Sequence, residues 1–114
     1  MNSIPRFLQR IIPSFLPVIK YVIKGNSMFP TLRSGDKIFV NRIAYILSKP
    51  KIDDIVAVKD PRDRKVLIKR IKKIDNAKFF ILGDNKTHST DSREFGMIEK
   101  KDIIGKIVYK ISNI

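Results

Sequence analysis

Apolar residues in this chain recur in short runs, several of them alternating with polar neighbours, and turn-forming residues separate the runs. Residues 18–23, 37–40, 55–58, 66–74, 79–82 and 103–111 each read as a strand, rich in Val, Ile and Phe. Gly105 is expected to break the last of these. Asp60-Pro61-Arg62-Asp63 and Asp75-Asn76 mark turns, and residues 83–93 read as a polar loop. Residues 41–48 form either a short helix or an extended arm, ended by Lys49-Pro50. No internal repeat is present. The pattern predicts a mainly β domain, compact and barrel-like, with little helix.

Only the N-terminal segment departs from this pattern. Phe7, Leu8, Ile11, Ile12, Phe15 and Leu16 recur at helical spacing, with Arg6 and Arg10 beside them and no acidic residue before Lys24. Two readings stand: a short helix packed over the core, or an amphipathic anchor drawn to anionic lipid. Pro13 and Pro17 interrupt the segment and tip the choice towards packing. The uncharged run 11–19 is far shorter than the roughly 20 residues that span a bilayer. No small-residue cleavage site follows it, so neither a membrane span nor a cleavable signal is expected here.

Composition narrows the chemistry. The 114 residues suit one small domain. Without cysteine there are no disulfides or thiolate metal sites, and one histidine, His88, argues against a zinc centre. No cofactor is expected. A formal charge of +13 raises nucleic acid or an anionic membrane as partners. The lysines are scattered with few aromatics among them, so a solvated basic surface accounts for them equally well.

The stretch 24–36 carries the first candidate for catalysis. Gly25 and Gly35 permit a tight excursion between two strands, and Pro30 stiffens it. Ser27 lies just past a strand, followed by large apolar residues, Met28 and Phe29, which a solvated loop would not normally carry. A hydroxyl beside apolar surface is a candidate nucleophile, provided that a base is near. In the strand around Lys69, alternation places Leu67, Lys69 and Ile71 on one face and Ile68 and Arg70 on the other. A lysine between Leu and Ile is a candidate for burial, and burial favours the neutral amine that a general base must be. Snorkelling to solvent is the commoner fate of a strand lysine. The loop 83–96, dense in Asp, Asn, Ser and Thr between Gly83 and Gly96, could hold a hydroxyl against that amine, or could be an ordinary solvated turn.

Three stretches together resemble the successive motifs of the signal peptidase I family. They are Gly25-Asn26-Ser27-Met28-Phe29-Pro30-Thr31-Leu32 with Gly35-Asp36, then Ile68-Lys69-Arg70-Ile71, then Gly83-Asp84-Asn85 with Ser89-Thr90-Asp91-Ser92-Arg93 and Gly96. The resemblance runs from about residue 18 to 106 and implies a Ser/Lys peptidase on the β-rich fold shared with LexA-type self-cleaving domains. It divides the chain into an N-terminal amphipathic segment, 1–17, and a peptidase domain, 18–114. By carry-over, Ser27 is the nucleophile, Lys69 the general base and Ser89 the residue that orients Lys69. The Ser27 backbone N–H, with Asn26, would serve the oxyanion, and Met28 would line the site for small substrate side chains. Arg70, Asp84, Asp91 and Arg93 would hold the loop through ion pairs. The implied substrate is a protein with an N-terminal leader, cut after a small residue, with no metal, no cofactor and no nucleic acid.

Three departures shape the expectation. Gly25 stands where many members carry a serine that helps bind the oxyanion, and His88 where asparagine is usual. The family's long insertion before the last motif is reduced to residues 72–78, and its usual membrane anchor is missing. Such a minimal core resembles the compact relatives that remove short N-terminal extensions from particular proteins, including the maturation proteases of nickel-type superoxide dismutase. Peripheral membrane association or a cytoplasmic location both suit it. Self-cleavage as in LexA-type domains, or a non-catalytic basic β-domain binding nucleic acid, are the alternatives.

Overall fold

The computed structural model describes residues 17–112, so the helix expected in the N-terminal segment lies, but for Pro17, outside the described residues. Seven strands make one antiparallel sheet: β1 (Val18–Val22), β2 (Lys37–Asn41), β3 (Ile55–Lys59), β4 (Val66–Asp75), β5 (Lys78–Leu82), β6 (Ile98–Glu99) and β7 (Ile103–Ile111). Their spatial order is β1-β2-β7-β3-β4-β5-β6. Two single helical turns, α1 (Ala44–Leu47) and α2 (Ser92–Phe95), and a 3-10 turn at Lys100–Asp102 complete the described elements. The sheet curls into a half-barrel, which bears out the mainly β, barrel-like expectation.

The central strand explains the curl. In β3, Ile55 and Ala57 enter one apolar cluster with Ile23, Met28, Leu32, Ile38, Val40 and Ile107. Val56 and Val58 enter a second, with Tyr45, Ile71, Phe79, Ile81 and Ile98. Both faces of β3 are therefore covered, which is why this run lacks polar alternation. Each fully buried Ile or Val contributes on the order of 1.5–3 kcal/mol of transfer free energy.

Several boundaries differ from the sequence expectation. Residues 41–48 resolve into one helical turn, whose Tyr45 is buried while its hydroxyl donates to Asp54 at 2.6 Å. The β4–β5 turn centres on Asn76 and Ala77, both at positive φ, one residue later than expected, because Asp75 already pairs with Lys78. The polar loop ends early: Asp91 caps α2 by accepting from the Arg93 N–H. Gly105 does not break β7. It pairs with Ala57, and a Cβ there would run into the Asn41 carbonyl. The glycine thus lets β7 pass close to β2 at Asn41, the end of their pairing.

Candidate active site

The Ser27 turn is tied down before any chemistry is considered. Ile23 donates to the Asp36 carbonyl and accepts from the Gly35 N–H, both at 2.8 Å, so residues 24–34 form a closed excursion. Gly25 and Gly35 take φ values of 81° and 93°, where a side chain would be strained. Met28 and Leu32 are buried in the core, anchoring the turn from below and leaving Ser27 partly exposed above it. This anchoring is the physical reason for Met28 in the loop; Phe29 is instead exposed, with the Arg33 guanidinium 5.1 Å from its ring centre.

Lys69 sits mid-strand, in register with Val56, and only 2% of its surface is exposed. Its burial pulls the pKa below the ordinary lysine value, the Asp91 charge opposes this, and the Arg93 charge adds to it. Nζ donates to Ser89 Oγ at 3.1 Å, and Ser89 Oγ donates in turn to Asp91 Oδ2 at 2.7 Å. The direction of this chain matters. With the Ser89 proton committed to Asp91, Ser89 can only accept from Lys69, which leaves the amine lone pair free to face elsewhere.

Asp91 is fully buried and holds the loop together. It accepts from the Gly83 N–H at 3.0 Å, from the Arg93 N–H at 3.1 Å and from Arg93 Nε and Nη2 at 3.0 and 2.9 Å. Burial alone would raise its pKa; the Arg93, Gly83 and Ser89 bonds outweigh that and hold it well below the usual carboxylate range. A second pair supports the loop from the other side. Arg70 forks onto Asp84 through Nε and Nη2 at 2.9 and 2.8 Å, lowering the Asp84 pKa, while Thr31 donates to Asp84 Oδ2 at 2.5 Å. The Asp84 N–H also meets Met28 Sδ at 3.4 Å.

The structure brings Asn26, Ser27, Lys69 and Ser89 to one polar cleft of about 540 Å³, also lined by Lys24, Gly25, Thr87, His88 and Glu94. Ser27 and Lys69 line a second, more apolar cleft of about 210 Å³ with Val22, Ile23, Met28, Leu67 and Ile68. The two clefts share Lys24, Ser27, Leu67 and Lys69. His88 faces Thr87, with Nδ1 2.7 Å from Oγ1, while the Asp91 oxygens are held by Ser89, Gly83 and Arg93. A hydroxyl and a desolvated amine on one cleft form an arrangement capable of acyl transfer.

Residues without reactive groups were missed by a reading for nucleophiles and bases. A Cβ at Gly83 would strike Ser89 Oγ and come within 2.5 Å of the Ser27 carbonyl, so glycine alone lets the two loops meet. Thr31 and Asn85 bridge the same loops. A glycine at the junction of an apolar strand and a polar loop was their one visible signal.

A family model described as "Signal peptidase, peptidase S26" matches residues 5–74 and 72–111. The chain belongs to the signal peptidase family, peptidase S26. It is 28% identical to signal peptidase I V of Bacillus subtilis (strain 168), covering 78% of this chain and 83% of that protein. It is 29% identical to the inactive signal peptidase IA of Staphylococcus aureus (strain MRSA252), over 79% and 76% of the two chains. Thylakoidal processing peptidase 1 of Arabidopsis thaliana is 24% identical over 77% of this chain and 40% of its own length. Membership carries a signal peptidase function at the level of the family, with leader-bearing proteins as the substrate class.

Proposed function

We propose that this protein is a catalytically competent serine endopeptidase in which Ser27 and Lys69 form the dyad. One observation carries the reading: Lys69 is desolvated, bonded through Ser89 to Asp91, and opens onto the same clefts as Ser27. The neutral Lys69 amine takes the Ser27 hydroxyl proton as Oγ attacks the scissile carbonyl carbon. The carbonyl oxygen, now an oxyanion, is met by the Ser27 backbone N–H, with Asn26 beside it. Collapse expels the amine of the mature portion, which takes the proton from the Lys69 ammonium. The leader stays as an ester on Ser27. Water then gives a proton to Lys69 as it attacks the ester carbonyl carbon; the bond to Ser27 Oγ breaks, Oγ takes that proton back from the Lys69 ammonium, and the leader leaves as a carboxylic acid.

The leader is held as an extended strand. β1 lies at the sheet edge, and residues 66–69 of β4 pair with β3 on one side while β5 pairs only from Arg70 onward. Both stretches, 21–24 and 66–69, line the apolar cleft. Main-chain pairing there grips the peptide, and Met28, Ile23 and Ile68 restrict the residue before the cut to a small side chain. The two-residue turn joining β4 to β5 leaves a minimal frame, suited to a short exposed leader on a particular protein. The protein meets an anionic membrane peripherally, and no nucleic acid takes part.

Cleavage of peptides bearing an Ala-x-Ala leader tests the reading, with Ser27→Ala and Lys69→Ala as controls and with or without lipid vesicles. Wild-type cleavage lost in both variants is expected. A wild type that cuts nothing under either condition places the chain with the inactive relatives, and activity surviving in both variants overturns the dyad.

A further inference from the structure

The strongest unassigned feature is Asn85, whose main chain and side chain both reach the Ser27 turn from the opposing loop. Its N–H donates to the Ser27 carbonyl at 2.9 Å, and its Nδ2 donates to the Asn26 carbonyl at 3.0 Å. These carbonyls belong to the two peptide planes on either side of the Ser27 Cα. The Asn26 carbonyl accepts a second bond, from the Phe29 N–H at 3.0 Å. Among the described residues only Phe29-Pro30 is cis, so the Asn26–Ser27 peptide is trans and planar. In such a unit the N–H points opposite to the C=O. Fixing the Asn26 carbonyl on Asn85 therefore aims the Ser27 N–H away from Asn85, and the bond to the Ser27 carbonyl stops the next plane from rotating with it.

We propose that Asn85 is the positioning residue of the oxyanion site, setting the direction of the Ser27 backbone N–H by clamping the peptide plane that carries it. The role is weightier here because Gly25 brings no hydroxyl to share the oxyanion. Asn85 is itself held: its Oδ1 accepts from the Thr87 N–H at 3.3 Å and the Thr87 hydroxyl at 3.1 Å, which fixes the amide with Nδ2 towards Asn26. The inference rests on Ser27 being the nucleophile.

Two variants separate the donor from the loop. Asn85→Ala removes the side chain, and Asn85→Asp keeps its shape and the acceptor for Thr87 while removing the Nδ2 donor. Both should lose about 10- to 100-fold in kcat with KM within about twofold, somewhat less than deleting an oxyanion donor outright. Both should also bind a peptide aldehyde, which forms a tetrahedral oxyanion on Ser27, more weakly by a similar factor. The rising limb of the Asn85→Ala pH profile should stay where it is in wild type, since the Lys69–Ser89–Asp91 chain is untouched. Melting temperatures within a few degrees of wild type show that the fold survives; where one variant fails this, the other carries the test. Wild-type kcat in a folded Asn85→Asp overturns the clamp while leaving the dyad intact. A wild type that cleaves nothing removes the dyad and the clamp together.

Discussion

At Lys69, burial and charge conflict directly. An ammonium group with 2% exposure and no carboxylate in direct contact is disfavoured, and the nearest acid, Asp91, is kept one hydroxyl away by Ser89. Arg93 then offsets the Asp91 charge, so that the acid orients the chain without holding a proton on the amine. It follows that kcat/KM should rise with pH through a Lys69 pKa lying below the ordinary value of about 10.4. Arg93→Met should move that limb to higher pH, because the uncovered Asp91 charge favours the ammonium. An unchanged limb would show that Arg93 only braces the loop. Stability carries the same sign. Between the depressed folded pKa and the unfolded value, the unfolded chain binds more protons, so stability rises with pH across that window. Lys69→Met should therefore be more stable than wild type at neutral pH. Denaturant titrations should show the gap narrowing towards pH 11; a constant gap would refute a lowered Lys69 pKa.

Between elements, the decisive contacts are close approaches that only a missing Cβ permits. Gly83→Ala would press on Ser89 and on the Ser27 carbonyl, and Gly105→Ala on the backbone of Asn41. Each should cost on the order of 1–3 kcal/mol in chemical denaturation. Only Gly83→Ala should also cut kcat, by at least about tenfold, since it alone forces the Ser27 turn away from the Lys69–Ser89 pair. Equal kcat losses in the two variants would make the effect one of global stability. These glycines also show how far the sequence was legible. Strand periodicity was readable because burial alternates with period two, and it put Lys69 on the face of Leu67 and Ile71, which pack in the second core cluster as Leu67 and Ile71 should. Gly105 was visible as an anomaly, but one glycine in a strand signals a break and a tight crossing alike, and register with β2 decides between them. The bridges Thr31–Asp84 and Asn85–Asn26 join residues more than fifty positions apart. A polar loop able to make them has the same composition as a solvated turn, so local pattern could not reveal them. The small β6 strand and the 3-10 turn escaped for a similar reason: two or three residues are too few to show a period.

Taken as a whole, the molecule combines a strong positive charge with an apolar tip. The formal charge is +13, and no helix among the described residues is long and apolar enough to cross a membrane. On α1, Ile46 and Leu47 are 77% and 83% exposed, with Ile43 and Ile52 nearby in sequence and Arg42, Lys49 and Lys51 among them. The Arg42 N–H donates to the Pro17 carbonyl at 2.8 Å, so the first described residue lies beside this tip. Exposed apolar side chains with lysine and arginine close by in sequence match the chemistry of an anionic bilayer surface, where each basic residue near the headgroups adds about 1 kcal/mol. The protein should therefore sediment with vesicles containing phosphatidylglycerol, and much less with neutral ones. Raising the salt to about 0.5 M should weaken binding severalfold by screening, without abolishing the apolar share. Ile46→Ser with Leu47→Ser should also weaken it severalfold while leaving the melting temperature within about 2 °C, because these side chains contribute little to the core. Peptide cleavage in free solution should be unaffected by the pair, since α1 follows the end of β2 remote from the Ser27 turn. Binding that ignores both salt and the double substitution would exclude this tip as the contact.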